Sequence, residues 1–216
     1  MIVSIDAQLK HHCPVLQLAC VQGAVGVAKS SDQLLEVLNA RAQQLVRDGA
    51  TSHPEIAATR EAYRNLGKDP SRYRGSAEAL LRRLASGKGL YFINNLVDIN
   101  NLVSLESFLP VGSYDLAKVT PPIVFRVGQA GEAYKGIGKD LVNIADLPVF
   151  ADQAGPFGSP TSDSERAMIT PATTAFAMMI ISFSGRSDLP SHAARAIALL
   201  QAHAGGRDLS SVIVGH

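Results

Sequence analysis

Apolar positions at Leu34, Leu35, Val37, Leu38, Ala42 and Leu45 recur at the spacing of one buried helical stripe. Ser30 or Ser31 stands where an N-cap belongs, and Gly49 where the stripe should stop. A second helix is expected from Pro54, through Arg60 and Tyr63, to a left-handed stop at Gly67, before the turn that Asp69-Pro70 forces. A third opens at Ser76, runs through Leu80, Leu81 and Leu84, and ends at Gly87, so that three helices are expected before residue 90. Ahead of them, Val15 to Val27 is rich in Val, Gly and Ala and reads as one buried strand or a hairpin turning near Gln22-Gly23.

The pattern then changes. From Leu90 to Leu109 the aliphatic positions are interrupted by Asn94, Asn95, Asp98, Asn100 and Asn101, a density of polar groups that argues against a simple core helix. Beyond Pro110 strand signals dominate: Ile123 to Val127, a hairpin around Ala130-Gly131, and short apolar pieces at 141–144 and 148–150. Thr174 to Phe183 is an apolar run closed by Ser184-Gly185, and Leu189 to His203 has helical spacing through Ala193, Ala196, Ile197, Leu199 and Leu200. With no internal repeat and no low-complexity linker, the expectation is one mixed α/β domain over 1–216, its helices packed on a mixed sheet.

Composition changes little in this picture. A hydrophobic content of 46% over 216 residues supports a large core without disulfides. Two cysteines, Cys13 and Cys20, are too few for a secreted framework and fit a reducing compartment, with the cytoplasm as the default. The start lacks a basic region followed by an apolar core, and the most apolar stretch is too short to span a bilayer, so no membrane partner is expected. A formal net charge of +1 predicts no global attraction to DNA or RNA.

Several chemical motifs fail. Ala133 to Asp140 ends in Gly138-Lys139, but it lacks the first glycine and the final hydroxyl of a phosphate-binding loop and reads as a solvated hairpin. His11, His12, Cys13 and Cys20 have no second cluster at metal-site spacing, so neither a metal nor another cofactor is expected. No Gly-x-Ser-x-Gly elbow is present, and neither cysteine lies in a setting that the sequence marks as electropositive; if the chain is an enzyme, water or a substrate group attacks. What remains is a basic segment. Between Arg60 and Lys88 there are eight Lys and Arg against three acidic residues, with Tyr63 and Tyr73 interleaved. Such a segment either holds phosphates and stacks bases or is an ordinary solvated helical face. The amide cluster of residues 94–101 likewise either ties loops together or lines a pocket.

These pieces occur in a particular order. Tyr63-Arg64-x-Leu66-Gly67-x-Asp69-Pro70-x-x-Tyr73-Arg74 is followed by Glu78-Ala79-Leu80-Leu81-Arg82-Arg83, then Val97-Asp98-Ile99-x-Asn101, then Tyr114-Asp115-Leu116. In that combination, over roughly residues 14–185, the chain resembles the B3/4 editing domain of the phenylalanyl-tRNA synthetase beta subunit. The resemblance implies the fold of that domain and a freestanding protein that hydrolyses the ester bond of mischarged tRNA in trans, its partner being the aminoacylated 3′ end. Asn101, Ser113 and Asp163 are then the catalytic candidates; Asn100, Pro110, Gly112, Ser164 and Thr170 the substrate-binding ones; and Arg72, Arg74, Arg82 and Arg83 face the RNA. Asp98 braces a turn. Gly112 stands where the synthetase pattern carries a histidine, and Gly155 to Ser159 falls where the family closes its pocket with a glycine-rich loop. A noncatalytic tRNA-binding module, and an amino-acid-binding protein with a degenerate pocket, are the alternatives.

Overall fold

The computed structural model describes residues 2–215. Its order is β1 (Val3–Ile5), α1 (Ala7–His12), β2 (Gln17–Ala24), α2 (Asp32–Arg47), α3 (Pro54–Asn65), α4 (Ser76–Ala85), α5 (Asn95–Ser107), β3 (Val111–Asp115), β4 (Ile123–Val127), β5 (Ala133–Lys135), β6 (Leu141–Asn143), β7 (Pro148–Asp152), β8 (Gly155–Gly158), β9 (Ala175–Ser182), α6 (Leu189–His203) and β10 (Arg207–Val214). Two four-stranded sheets run β1-β4-β7-β8 and β10-β2-β9-β3, and β5-β6 form a separate hairpin. The second sheet is antiparallel throughout, while β1 runs parallel to β4. No helix among the described residues is long and apolar enough to cross a membrane.

The layers follow from side-chain alternation. In β9, Phe176, Met178 and Ile180 join a core formed with α2, α4, α5 and α6, whereas Ala177, Met179 and Ile181 join Phe125, Phe150 and Phe157 of the other sheet. β9 is thus covered on both faces, which is why its sequence is a continuous apolar run rather than an alternating one. The fold is mixed α/β with helices packed on a sheet, as expected; the sheet that carries most of the helices is the antiparallel one. Both cysteines lie in the core between the sheets, free and buried.

Helix boundaries agree closely with the capping signals. Ser31 accepts from the Leu34 amide at the start of α2, and Gly49 and Gly67 take positive φ just past α2 and α3. At α4 the cap is Gly75; Ser76 is the first helical residue, and its hydroxyl instead pairs with the Val111 backbone. Four helices, not three, precede residue 90, because Asp6 caps the short α1. The segment 17–24 is one strand without a hairpin turn. Gly131 does turn the chain, but β4 pairs with β1 and β7 rather than with β5, so no hairpin forms there.

The largest correction concerns residues 95–107. They form a core helix, eleven of whose thirteen residues are buried. Its polar side chains do not oppose burial because most are spent on backbone groups. Asn94 caps the Val97 amide, Ser104 donates to the Leu109 carbonyl, and Ser107 donates to the Val103 carbonyl while accepting from the Leu109 amide. Asp98 accepts from Ser30 and from the Ile93 amide, bracing the turn into the helix. A helix buried all round has no polar face to reveal its period.

Candidate functional site: an amide-lined cavity

Asn100 and Asn101 of α5 both line a cavity of about 370 Å³. Ser113 from β3 and Asp163 from the loop after β8 line the same space, so four candidates drawn from three parts of the chain converge. The other walls are Ser76, Tyr91, Ile93, Val97, Val111, Met168 and Ile169, closed by Ile137, Lys139 and Ser162. This volume is at the lower end for small-molecule sites and suits a group of amino-acid size, with apolar walls and a few polar anchors.

The anchors differ in their commitments. Asn100 donates to the Val111 carbonyl and accepts from the Ser113 hydroxyl at 2.9 Å. Asn101 is only 8% exposed, yet its carboxamide has no hydrogen-bond partner among the described residues. Asp163 receives the Tyr114 hydroxyl at 2.8 Å and the Ser159 amide at 3.2 Å, both on Oδ1. Burial raises the Asp163 carboxyl to about 6; the two hydrogen bonds and the Lys139 ammonium act in the opposite direction. Lys139 reaches the Ser162 hydroxyl at 3.3 Å.

Other candidates are placed elsewhere. Ser164 caps a short 3-10 turn by accepting from the Arg166 amide, and Thr170 makes a local turn with Ala172 and Thr173; neither lines the cavity. The Pro110 carbonyl accepts from the Ile181 amide, joining β3 to β9. Glu165 pairs with Lys135 outside the cavity. Gly155 to Gly158 is strand β8 rather than a loop, and the loop that borders the cavity is Ser159 to Ser164.

Gly112 has a steric reason. A Cβ there would sit 2.4 Å from the Tyr114 hydroxyl, and one at Gly158 would sit 2.3 Å from it. The two glycines therefore make room for a phenol, and while Tyr114 occupies that position no histidine fits at 112.

Most of the basic segment is internally paired. Arg60, Arg74 and Arg82 all approach Oε1 of the buried Glu78, Arg64 pairs with Glu61, and Lys68 with Asp146. Arg72 stands 82% exposed on a turn, 3.9 Å from the exposed Asp69 carboxylate. Arg83 lies over the ring of Tyr91, which puts it at the cavity's edge.

Sequence reasoning missed the hairpin. Read as merely solvated, the β5-β6 turn is tied to the loop by the bond from the Ile137 amide to the Asp163 carbonyl, and its tip closes the cavity. Tyr91 and Ile93 were also missed; both are exposed in a segment without helix or strand, and no motif in the sequence marks them. Among the described residues, no group of three or more His, Cys, Asp or Glu is placed to hold a metal ion.

Comparison with known proteins is decided by one match. The family model described as the B3/4 domain covers residues 58–205, more than half of the chain. The chain belongs to the B3/4 domain family. Over 79 residues the chain is 35% identical to the phenylalanine–tRNA ligase beta subunit of Chromobacterium violaceum, a stretch covering 36% of the chain and 10% of that subunit. An N-terminal fragment of the phenylalanyl-tRNA synthetase beta subunit from Pyrococcus horikoshii shares the fold. It aligns over 99% of the B3/4 chain and 50% of the fragment, with a TM-score of 0.50 and 14% identity. The family match begins later than the motif-based resemblance and extends through α6.

Proposed function

We propose that this chain hydrolyses the ester bond of mischarged tRNA in trans, with the aminoacyl group seated in the α5-β3 cavity. The observation that carries this reading is the convergence of Asn101, Asp163 and the Asn100-Ser113 pair on one cavity of amino-acid size. Membership of the B3/4 family and the relatives' description as tRNA synthetase beta subunits support the choice of substrate. In the proposed reaction a water attacks the ester carbonyl carbon, the bond to the ribose oxygen breaks, and that oxygen takes the proton. The unpaired carboxamide of Asn101 donates to the developing oxyanion, while the Asp163 carboxylate orients the substrate's ammonium or the attacking water. Arg72 and Arg83 are the arginines best placed to meet the nucleic acid, because Arg74 and Arg82 are engaged with Glu78.

The test is incubation with a panel of tRNAs charged with wrong amino acids. Loss of the aminoacyl group from at least one is expected, and unchanged charging across the panel overturns the proposal. Because Asp163 must be ionised, the rate rises with pH through about 6. A second reading, binding of a free amino acid, is favoured by the Glu78 cluster, which leaves little uncommitted positive charge for RNA. Thermal stabilisation by an amino acid, together with no salt-dependent RNA binding, selects it.

A further inference from the structure

The loop that carries Asp163 is held by three tyrosines from three different elements. Tyr63 of α3 bonds to the Thr161 hydroxyl at 2.6 Å, Tyr134 of β5 donates to the Ser162 carbonyl, and Tyr114 of β3 donates to Asp163 Oδ1. All three phenols are pushed above their ordinary range by burial, so they stay protonated at neutral pH. Only Tyr114 acts on the carboxylate itself. The chain accommodates it with the glycines at 112 and 158, positions at which any side chain would collide with the phenol. The ring is packed edge-on against Phe157 and inclined to Phe150, which fixes the direction of its hydroxyl.

Resting on the reading of the cavity as the reaction site, we propose that Tyr114 is the positioning residue of Asp163. By occupying Oδ1 together with the Ser159 amide, it locks the carboxylate's rotation and leaves Oδ2, which has no partner among the described residues, to the substrate. It also holds the acid in its ionised form, because a donated hydrogen bond favours the carboxylate over the carboxylic acid. The titratable groups facing Asp163 are Tyr63 from α3, Tyr114 from β3, Tyr134 from β5 and Lys139 from the hairpin tip. Of these only Tyr114 can supply this bond; Lys139 contributes through its charge.

The experiment compares Tyr114→Phe with Tyr134→Phe, which removes a phenol from the same loop but not from the carboxylate. Two readouts are taken on the full chain: the Asp163 carboxyl titration by carbon NMR, assigned with Asp163→Asn, and the pH profile of deacylation. For Tyr114→Phe, both midpoints move up by about one pH unit, the scale of one lost charge-assisted hydrogen bond. For Tyr134→Phe they stay within a few tenths of a unit. Equal shifts in both variants, or none in Tyr114→Phe, overturn the proposal. The NMR titration needs no substrate; an inactive wild-type chain that still shows the Tyr114 shift refutes the reading of the site and leaves the positioning role standing.

Discussion

Asn95 and Asn101 are the same residue type on one helix, and both are buried, but they are put to opposite uses. The Asn95 carboxamide makes four hydrogen bonds: it accepts from the Ala28 and Leu96 amides and donates to the Gly26 and His203 carbonyls. One side chain thus pins the β2-α2 connection, the start of α5 and the end of α6 together. Asn101 makes none and faces a cavity. Its polar atoms are not sealed from the cavity, so the amide is free to bond to water or to a ligand there. The two positions on α5 separate the two explanations that clustered amides invite: at the first residue of the helix the amide is structural, and at its middle the amide is left open to a cavity.

Breaking that contrast begins with Asn95→Ala, which strips partners from four backbone groups. It should destabilise the chain by about 3 kcal/mol or more in urea unfolding. If Asn95→Ala is as stable as wild type, the structural role of that end is wrong. Asn101→Ala reverses the pattern, with deacylation falling about 100-fold while stability moves by less than about 1 kcal/mol. A large stability loss with intact activity would place Asn101 beside Asn95.

Protonation sharpens the contrast further. The folded Asp163 carboxyl lies above its unfolded value, so between pH 4 and 6 the native chain binds more protons than the unfolded one. Its contribution is therefore most favourable below pH 4 and declines as pH rises through about 6, by at most about 3 kcal/mol. Asp163→Asn should flatten that part of the stability profile; an unchanged slope would show that Asp163 titrates normally. The smallest effect belongs to the exposed Arg72. Arg72→Ala should lower the logarithmic salt slope of RNA binding by about one or less, with stability within about 0.5 kcal/mol.

How far the sequence was legible follows the same division. Helices α2, α3, α4 and α6 were readable because each has an apolar stripe with a proline, glycine or capping side chain near its limits. α5 was not, because it is buried on all sides and its polar residues bond to backbone far away in sequence, as Asn95 does to His203. β10 gave no signal, since Arg207 to Ser211 is polar and mostly exposed at a sheet edge. Asn100, Asn101, Ser113 and Asp163, which line the cavity, were legible through ordered motifs. Lys139 and Ile137 were not, because only the fold brings the β5-β6 turn over the loop that carries Asp163.

The two buried thiols give the protein a built-in clock. Cys13 is held up to about 11 and Cys20 to about 12, chiefly by burial, so both are protonated and sealed within the core between the sheets. Neither reacts with an alkylating reagent until that core opens. Because Cys20 lies in β2, between β10 and β9, its labelling rate times the parting of the two sheets, whereas Cys13, at the C-cap of α1, times the opening of the core at that helix. The ratio of the two rates measures how cooperatively the layers come apart, with no probe added to the chain.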